Sequence, residues 1–180
     1  MPFASRQSND QIGASDCERI GRGPIAQPCN ALSSVGYVAA ALAVASRLSA
    51  PGATRRSEVV GFATALGLVG VGSTLYHGPQ TPAAKPMHDW PIPALVGIIV
   101  ATPVVRRRAG LPALPGWSRR RAACLAGLLG CAGLAYAGGR TGAPTCVPTS
   151  RLQLHGAWHL LSAAAFAVVA LVLYEPAGGR

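Results

Sequence analysis

The stretch Leu154-His155-Gly156-Ala157-Trp158-His159-Leu160 leads directly into an apolar run that ends at Tyr174. No charged residue interrupts this segment, and about 20 apolar residues suffice to cross the hydrocarbon core of a membrane. Because His155 and His159 are four residues apart, a helix places both imidazoles on one face, where they could share a metal ion. Ionisable groups inside a membrane helix are costly and often functional. The alternative is that the two histidines only pack against a neighbouring helix.

The composition of the whole chain is that of a small membrane protein. Of its 180 residues, 50% are hydrophobic and 12% are charged, and the mean hydropathy is +0.34. The net charge of +10 could indicate nucleic-acid binding, but the densest basic runs, 106–108 and 119–121, lie at the two ends of one short loop between apolar stretches. Basic residues that determine the orientation of a membrane protein are usually found in such loops. We therefore expect no nucleic-acid partner.

The apolar segments predict an all-α polytopic bundle of about five spanning helices. Residues 1–27 are polar, contain no apolar core of a cleavable signal peptide, and are expected to form an extramembrane segment. The transmembrane domain is predicted over 28–175. Its helices are expected at about 28 to 46, 59 to 77, 87 to 105, 121 to 138 and 154 to 174.

Small residues predict where these helices pack closely. Gly67, Gly70 and Gly72 would let a neighbouring backbone approach the second helix. The fourth helix carries small residues at four-residue steps, which predicts a tight seam, and its cysteines are expected to fill the core rather than to react. The seam consists of Ala123, Gly127, Cys131 and Ala135.

The distribution of arginine and lysine predicts the orientation. With the N-terminus outside, the inner loops and tail hold ten basic residues and the outer segments hold six. The positive-inside rule therefore favours an external N-terminus and a cytoplasmic C-terminus. The inner set is Arg47, Arg55, Arg56, Arg106, Arg107, Arg108, Arg119, Arg120, Arg121 and Arg180, and the outer set is Arg6, Arg19, Arg22, Lys85, Arg140 and Arg151.

In this topology all four histidines fall in the same outer layer. The second helix ends at His77, the third begins near His88, and the fifth begins with His155 and His159. Three neutral imidazoles with one position left for water are a known catalytic zinc arrangement, which lowers the pKa of the bound water to about 7. We assign His77, His155 and His159 as zinc ligands.

Two further side chains in this layer are candidates for catalysis. Ser73 lies one helical turn before His77 and could donate to an attacked carbonyl oxygen, or it could bond a carbonyl of its own helix. Asp89 could take a proton from the water and deliver it to a leaving amine. His88 could support a ligand or face solvent, and we favour solvent.

These residues together resemble the alkaline ceramidase family, part of a superfamily of zinc-dependent membrane hydrolases that also includes the adiponectin receptors. Two N-terminal stretches are also similar to segments of that family. The matching elements are Ser73-x-x-x-His77, Asp89 followed by Pro91-Ile92, His155-x-x-x-His159 with Trp158 between, Asp16-Cys17-Glu18-Arg19, and Gln27-Pro28-Cys29-Asn30-Ala31-Leu32-Ser33.

The resemblance implies an amidase that hydrolyses ceramide, or a similar long-chain N-acyl lipid, to a sphingoid base and a fatty acid by attack of a zinc-bound water. His77, His155 and His159 would hold zinc, Asp89 would be the acid and base, and Ser73 would stabilise the oxyanion. The substrate would reach the metal from the membrane lipid. The short, Arg/Ala/Gly-rich chain is typical of a bacterial member, which predicts an inner-membrane location with the site near the outer face.

The chain also departs from the family pattern. Family members usually have seven spanning helices, so the substrate pocket would be smaller or completed by another subunit. Some members bind calcium through N-terminal acids, for which this chain offers Asp16 and Glu18. Gln27 stands where another acid is expected, and an amide oxygen is a weaker calcium ligand than a carboxylate.

Three cysteines are expected on the outer side, where an oxidising compartment permits disulfides. We predict a bridge between Cys17 and Cys146 that ties the N-terminal segment to the loop before the last helix. The alternative is that Cys17, Cys29 and Cys146 are all free thiols, since sequence does not determine connectivity.

Two functions from other classes compete with the hydrolase. A haem-binding electron carrier would use histidines from two helices as axial ligands, although Ser73 and Asp89 would then have no role. A receptor or scaffold would use the same zinc site only for structure.

Overall fold

A computed structural model describes residues 11–46, 56–111, 114 and 117–174. Within this part of the chain the fold is all-α, and five helical segments are long and apolar enough to cross a membrane. The prediction of a five-span helix bundle is confirmed. The orientation prediction used four arginines that lie outside the described residues, namely Arg6, Arg47, Arg55 and Arg180. The predicted end of the domain at residue 175 also lies outside them.

The helix boundaries agree closely with the sequence prediction except at the third span. There a short helix and a longer one meet at Trp90, just before Pro91 and Pro93, and together they form the single span Ala84–Arg108. Proline at the start of a helix is tolerated because its missing N–H would have no partner in the helix. The helices are α1 Pro28–Ala45, α2 Arg56–His77, α3 Ala84–Asp89, α4 Pro91–Arg108, α5 Arg119–Gly138 and α6 Leu154–Tyr174.

Helix α1 lies at the centre of the bundle, with α2 on one side and α6 on the other. Helices α3 and α4 pack on α2, and α5 packs on α6. Tyr37 of α1 and Ser162 of α6 share a buried hydrogen bond of 2.6 Å between their hydroxyl groups. This bond joins α1 to α6 inside the bundle.

Two of the three predicted close approaches to α2 are present, at Gly70 and Gly72, whereas Gly67 makes only an ordinary contact with Ala41. A Cβ atom at Gly70 would lie 2.9 Å from the backbone nitrogen of Val38 in α1, and one at Gly72 would collide with the carbonyl of Met87 in α3. Only glycine permits backbones to come this close. These contacts set the positions of α1 and α3 relative to His77.

The predicted seam on α5 packs only at one end. Ala135 is buried, but Gly127 and Cys131 are exposed and a Cβ atom at Gly127 would meet nothing within 4 Å. Cys124 is exposed as well, so the prediction that these cysteines fill the core is wrong. The physical reason is that α5 touches the bundle through α6 alone. Most of its surface is therefore available to lipid.

Charge is segregated along the bundle. The arginines at the start of α2, the end of α4 and the start of α5 lie at the end opposite the histidines. There Arg106, which is 4% exposed, bonds Glu58 at 2.8 Å and joins α4 to α2. Trp117 lies at this end and Trp90 and Trp158 lie at the other, as expected for aromatic residues at the two membrane interfaces.

Candidate metal centre

Three imidazoles from two helices meet at one end of the bundle. The ring centroid of His77 lies 5.2 Å from that of His155 and 5.1 Å from that of His159, and the last two are 4.7 Å apart. Each ring offers a nitrogen, and these three atoms lie within 4.8 Å of one another. All three side chains are buried. In the part of the chain that the structure describes, they form the one cluster of His, Cys, Asp or Glu with this geometry.

Gln27 determines how His77 is oriented. Its side-chain oxygen lies 2.8 Å from Nδ1 of His77, and an amide oxygen only accepts hydrogen bonds. Nδ1 must therefore carry the proton, and Nε2 of the neutral ring has a free lone pair. The Gln27 amide nitrogen donates to the backbone carbonyls of Gly13 and Glu18, which holds the side chain in place.

Polar residues on α1 do the same for His159. Nδ1 of this ring lies 3.2 Å from the backbone carbonyl oxygen of Asn30 and 3.0 Å and 3.2 Å from the hydroxyls of Ser33 and Ser34. Both hydroxyls already donate to the Asn30 carbonyl. The His159 ring must therefore be the donor at Nδ1, which again leaves Nε2 as the available ligand atom.

The side chain of Asp16 lies beside the rings of His155 and His77. Its carboxylate lies 3.4 Å from Nδ1 of His155 and 4.0 Å from Nδ1 of His77, and Arg140 bonds it at 2.9 Å. Burial raises the pKa of Asp16 to about 6, while Arg140 and a hydrogen bond from Ser15 act in the opposite direction. Nδ1 of His155 has no hydrogen-bond partner among the described residues, so Asp16 acts on the two rings through its charge rather than through a hydrogen bond.

The donor set fits a metal ion. Nε2 of His77, His155 and His159 is buried, and none of these atoms has a hydrogen-bond partner among the described residues. Buried polar atoms without partners are rare because each costs free energy. Imidazole nitrogens are typical zinc ligands, so these three residues could hold a metal ion.

The structure brings some of the predicted residues together and separates others. Ser73 is 1% exposed and lies one turn before His77 on α2, and the neighbouring Thr74 donates to the carbonyl of Gly70. Both roles considered for Ser73 stay open. Asp89 lies outside the histidine cluster, with its side chain 47% exposed and bonded to Lys85 and His88.

The three residues considered for calcium have other partners. Both oxygens of Glu18 accept hydrogen bonds at 2.8 Å from the backbone N–H groups of Cys29 and Asn30, which caps the start of α1. Asp16 bonds Arg140, and Gln27 bonds His77. Calcium binding by these residues stays a prediction.

The predicted disulfide is present between Cys17 and Cys146, and the alternative of three free thiols is wrong. The bridge lies next to Asp16 in the chain, and the backbone N–H of Cys17 also donates to the carbonyl of Gly139. Cys29 is a free thiol. The N-terminal segment is thereby fastened across the histidine end of the bundle.

Sequence analysis missed the support that α1 gives to the metal centre. Asn30 and Ser33 entered only as part of the matching stretch 27–33, and Ser34 did not enter at all, although the spacing of three and four residues places all three on one helix face. A polar face in an apolar helix was the available signal.

No protein-family profile, curated protein or solved structure matches this chain.

Proposed function

We propose that this protein is a zinc-dependent membrane amidase that hydrolyses ceramide, or a similar long-chain N-acyl lipid, to a sphingoid base and a free fatty acid. The observation that carries the proposal is the convergence of three buried imidazoles whose Nε2 atoms have no other partner among the described residues. The sequence resemblance to alkaline ceramidases supplies the substrate class.

His77, His155 and His159 would hold the zinc ion, with Gln27 and the Asn30 carbonyl keeping Nδ1 of two of the rings protonated. Zinc bound there would supply Lewis-acid chemistry, which polarises a carbonyl and makes water a stronger nucleophile at neutral pH. The reaction adds water across the amide bond, so the acyl carbon gains oxygen and the nitrogen leaves as an amine with an added proton.

The chain's own residues would supply the remaining steps. Ser73, buried one turn before His77, would donate a hydrogen bond to the oxygen of the attacked carbonyl as negative charge develops on it. The sequence resemblance implies that Asp89 takes part in the proton transfer that the leaving amine requires. Both roles are the ones that the sequence resemblance implies.

A lipid substrate is favoured by the position of the site along the bundle. The histidines lie at the ends of α2 and α6, and Trp90 and Tyr136, which are 74% and 41% exposed, are at the same end. Aromatic side chains concentrate at the membrane interface, where the amide group of a ceramide also lies. The positive-inside rule, applied to the basic residues at the opposite end, would place the site at the outer face of a bacterial inner membrane.

The test is metal analysis of the purified protein together with mass-spectrometric detection of fatty acid released from ceramide in mixed micelles. We expect stoichiometric zinc and release by the wild type, and loss of both in His155→Ala. The control is Thr102→Ala, because Thr102 is also a nearly buried polar residue but bonds only Ile98 within α4. It should retain zinc and activity.

Three outcomes would contradict the proposal. Stoichiometric zinc without release of fatty acid from ceramide or from other long-chain amides would favour a receptor or scaffold with a structural site. A Soret band in the purified protein would favour the haem carrier. Fatty-acid release that persists in a zinc-free preparation would show that the reaction does not require the metal.

A further inference from the structure

The third span places a second ordered group beside the metal centre. His88 of α3 stacks on Tyr76 of α2 with ring centroids 4.4 Å apart and planes 25° apart. Its centroid is 6.2 Å from that of His77, with the rings nearly perpendicular. The His88 side chain is 17% exposed, so the ring, for which the sequence favoured solvent, is only partly open to it.

Asp89 is engaged at both of its oxygens. Oδ1 lies 2.8 Å from Nδ1 of His88, and Oδ2 accepts a 2.6 Å hydrogen bond from the ammonium of Lys85. A carboxylate next to an ammonium ion remains ionised and only accepts hydrogen bonds, so Nδ1 of His88 carries the proton. Because Nδ1 donates to Asp89, Nε2 is the His88 atom that would accept a proton.

We propose that His88 is the residue that carries the proton during amide hydrolysis, and that Asp89 is a positioning residue which acts through it. This inference rests on the proposed hydrolase function. The geometry favours His88 because its ring lies beside His77, whereas Asp89 is 47% exposed and its two oxygens are bonded to His88 and Lys85. A carboxylate that fixes the tautomer and direction of an acid–base histidine is a recurrent catalytic pair.

The proton transfer balances without any further reactant. As water adds to the amide carbon, a C–O bond forms, the carbonyl π electrons move to the carbonyl oxygen, and a water proton passes to Nε2 of His88. The electrons on the oxyanion then re-form the C=O bond, the C–N bond breaks with its electrons on nitrogen, and His88 returns the proton to that nitrogen. The products are the fatty acid and the amine.

A double-mutant cycle of His88→Gln and Asp89→Asn on the zinc-loaded protein tests whether Asp89 acts through His88. We expect His88→Gln to lower kcat by roughly 100-fold or more, the usual contribution of an acid–base group. When His88 is present, Asp89→Asn should lower kcat by roughly 10- to 100-fold. It should cost almost nothing when His88 is already Gln, because a residue that acts only through another has no separate effect. Zinc content should be unchanged in all three variants.

A second measurement does not depend on turnover. In protein labelled with ¹⁵N at histidine, we expect long-range NMR couplings to show the Nδ1–H tautomer of His88, and we expect that tautomer to be lost in Asp89→Asn. The His88 signals are assigned by comparison with the spectrum of His88→Gln, from which they are absent.

The outcomes separate this inference from the function on which it depends. Full activity of His88→Gln alongside an active wild type would overturn the His88 assignment alone, as would an undiminished Asp89→Asn effect in the His88→Gln background. An Nε2–H tautomer of His88 would also overturn it. An inactive wild type would overturn the proposed function and this inference with it.

Discussion

The two ends of the Gln27 side chain have different partners, and both matter for the proposed metal centre. The amide nitrogen bonds two carbonyls of the N-terminal segment, and the oxygen orients His77. The side chain is fully buried. A residue considered in the sequence as a calcium ligand therefore links the N-terminal segment to the imidazole cluster.

We expect Gln27→Ala to weaken zinc binding by about 10- to 100-fold, the usual effect of removing a group that orients a metal-binding histidine. Without the amide oxygen, Nδ1 of His77 has no fixed acceptor and the ring can rotate away from the site. Competition with a chelator of known zinc affinity measures the change.

Gln153→Ala is the matched control for this prediction. Gln153 is also a buried glutamine, but its amide bonds the carbonyls of Val147 and Ser150 in the loop before α6. This variant should lose some stability and bind zinc as tightly as the wild type. Equal zinc affinity in Gln27→Ala would show that the bond to His77 does not support the metal site.

At the scale of helices, the contact between α2 and α3 depends on one glycine. The backbone of Met87 passes so close to Gly72 that a Cβ atom there would collide with it. His88 follows Met87 directly and owes its place on the Tyr76 ring to this approach. The three histidines proposed as ligands are on α2 and α6.

We expect Gly72→Ala to push α3 away from α2, to lower amidase activity by at least roughly 10-fold if it displaces His88, and to leave zinc content unchanged. Gly61→Ala is the control, since Gly61 is on the same helix and a Cβ atom there would meet nothing within 4 Å. It should be neutral or slightly stabilising, because alanine favours a helix more than glycine does. Loss of zinc from Gly72→Ala would mean that α3 also supports the metal ligands.

At the scale of the whole molecule, the disulfide joins parts of the chain that are 129 residues apart. We expect Cys17→Ser with Cys146→Ser to destabilise the protein by about 2–5 kcal/mol and to accelerate zinc loss, because Asp16 and Gln27 would be held less firmly. Thermal unfolding in detergent and zinc release to a chelator measure the two effects. Cys124→Ser with Cys131→Ser changes two exposed thiols and should alter neither.

The orientation of the bundle is a separate whole-molecule prediction. In a variant whose other free cysteines are replaced, a membrane-impermeant maleimide should label Leu152→Cys in intact cells, because Leu152 is 89% exposed at the histidine end. Leu111→Cys, which is 47% exposed at the arginine end, should be labelled only after the membrane is opened. The reverse pattern would place the site at the cytoplasmic face.

The sequence by itself determined the number of spanning helices, nearly all their boundaries and the three histidines that meet. These features follow from local properties: the length of an apolar run is set by membrane thickness, and a four-residue spacing puts two rings on one helix face. The Cys17–Cys146 disulfide was predicted as well, although the sequence left free thiols open as the alternative and only the structure decided between them.

Only the tertiary structure decided which residues support the centre. The bonds from Gln27 to His77 and from the Asn30 carbonyl to His159 connect residues 50 and 129 positions apart, and no local pattern specifies such pairs. The same holds for Asp89, which bonds His88 and Lys85 and does not join the ligand cluster, and for α5, whose small residues mostly face outward. Hydrogen bonds and close approaches of this kind depend on how helices are placed against one another, and that placement is set by packing over the whole bundle.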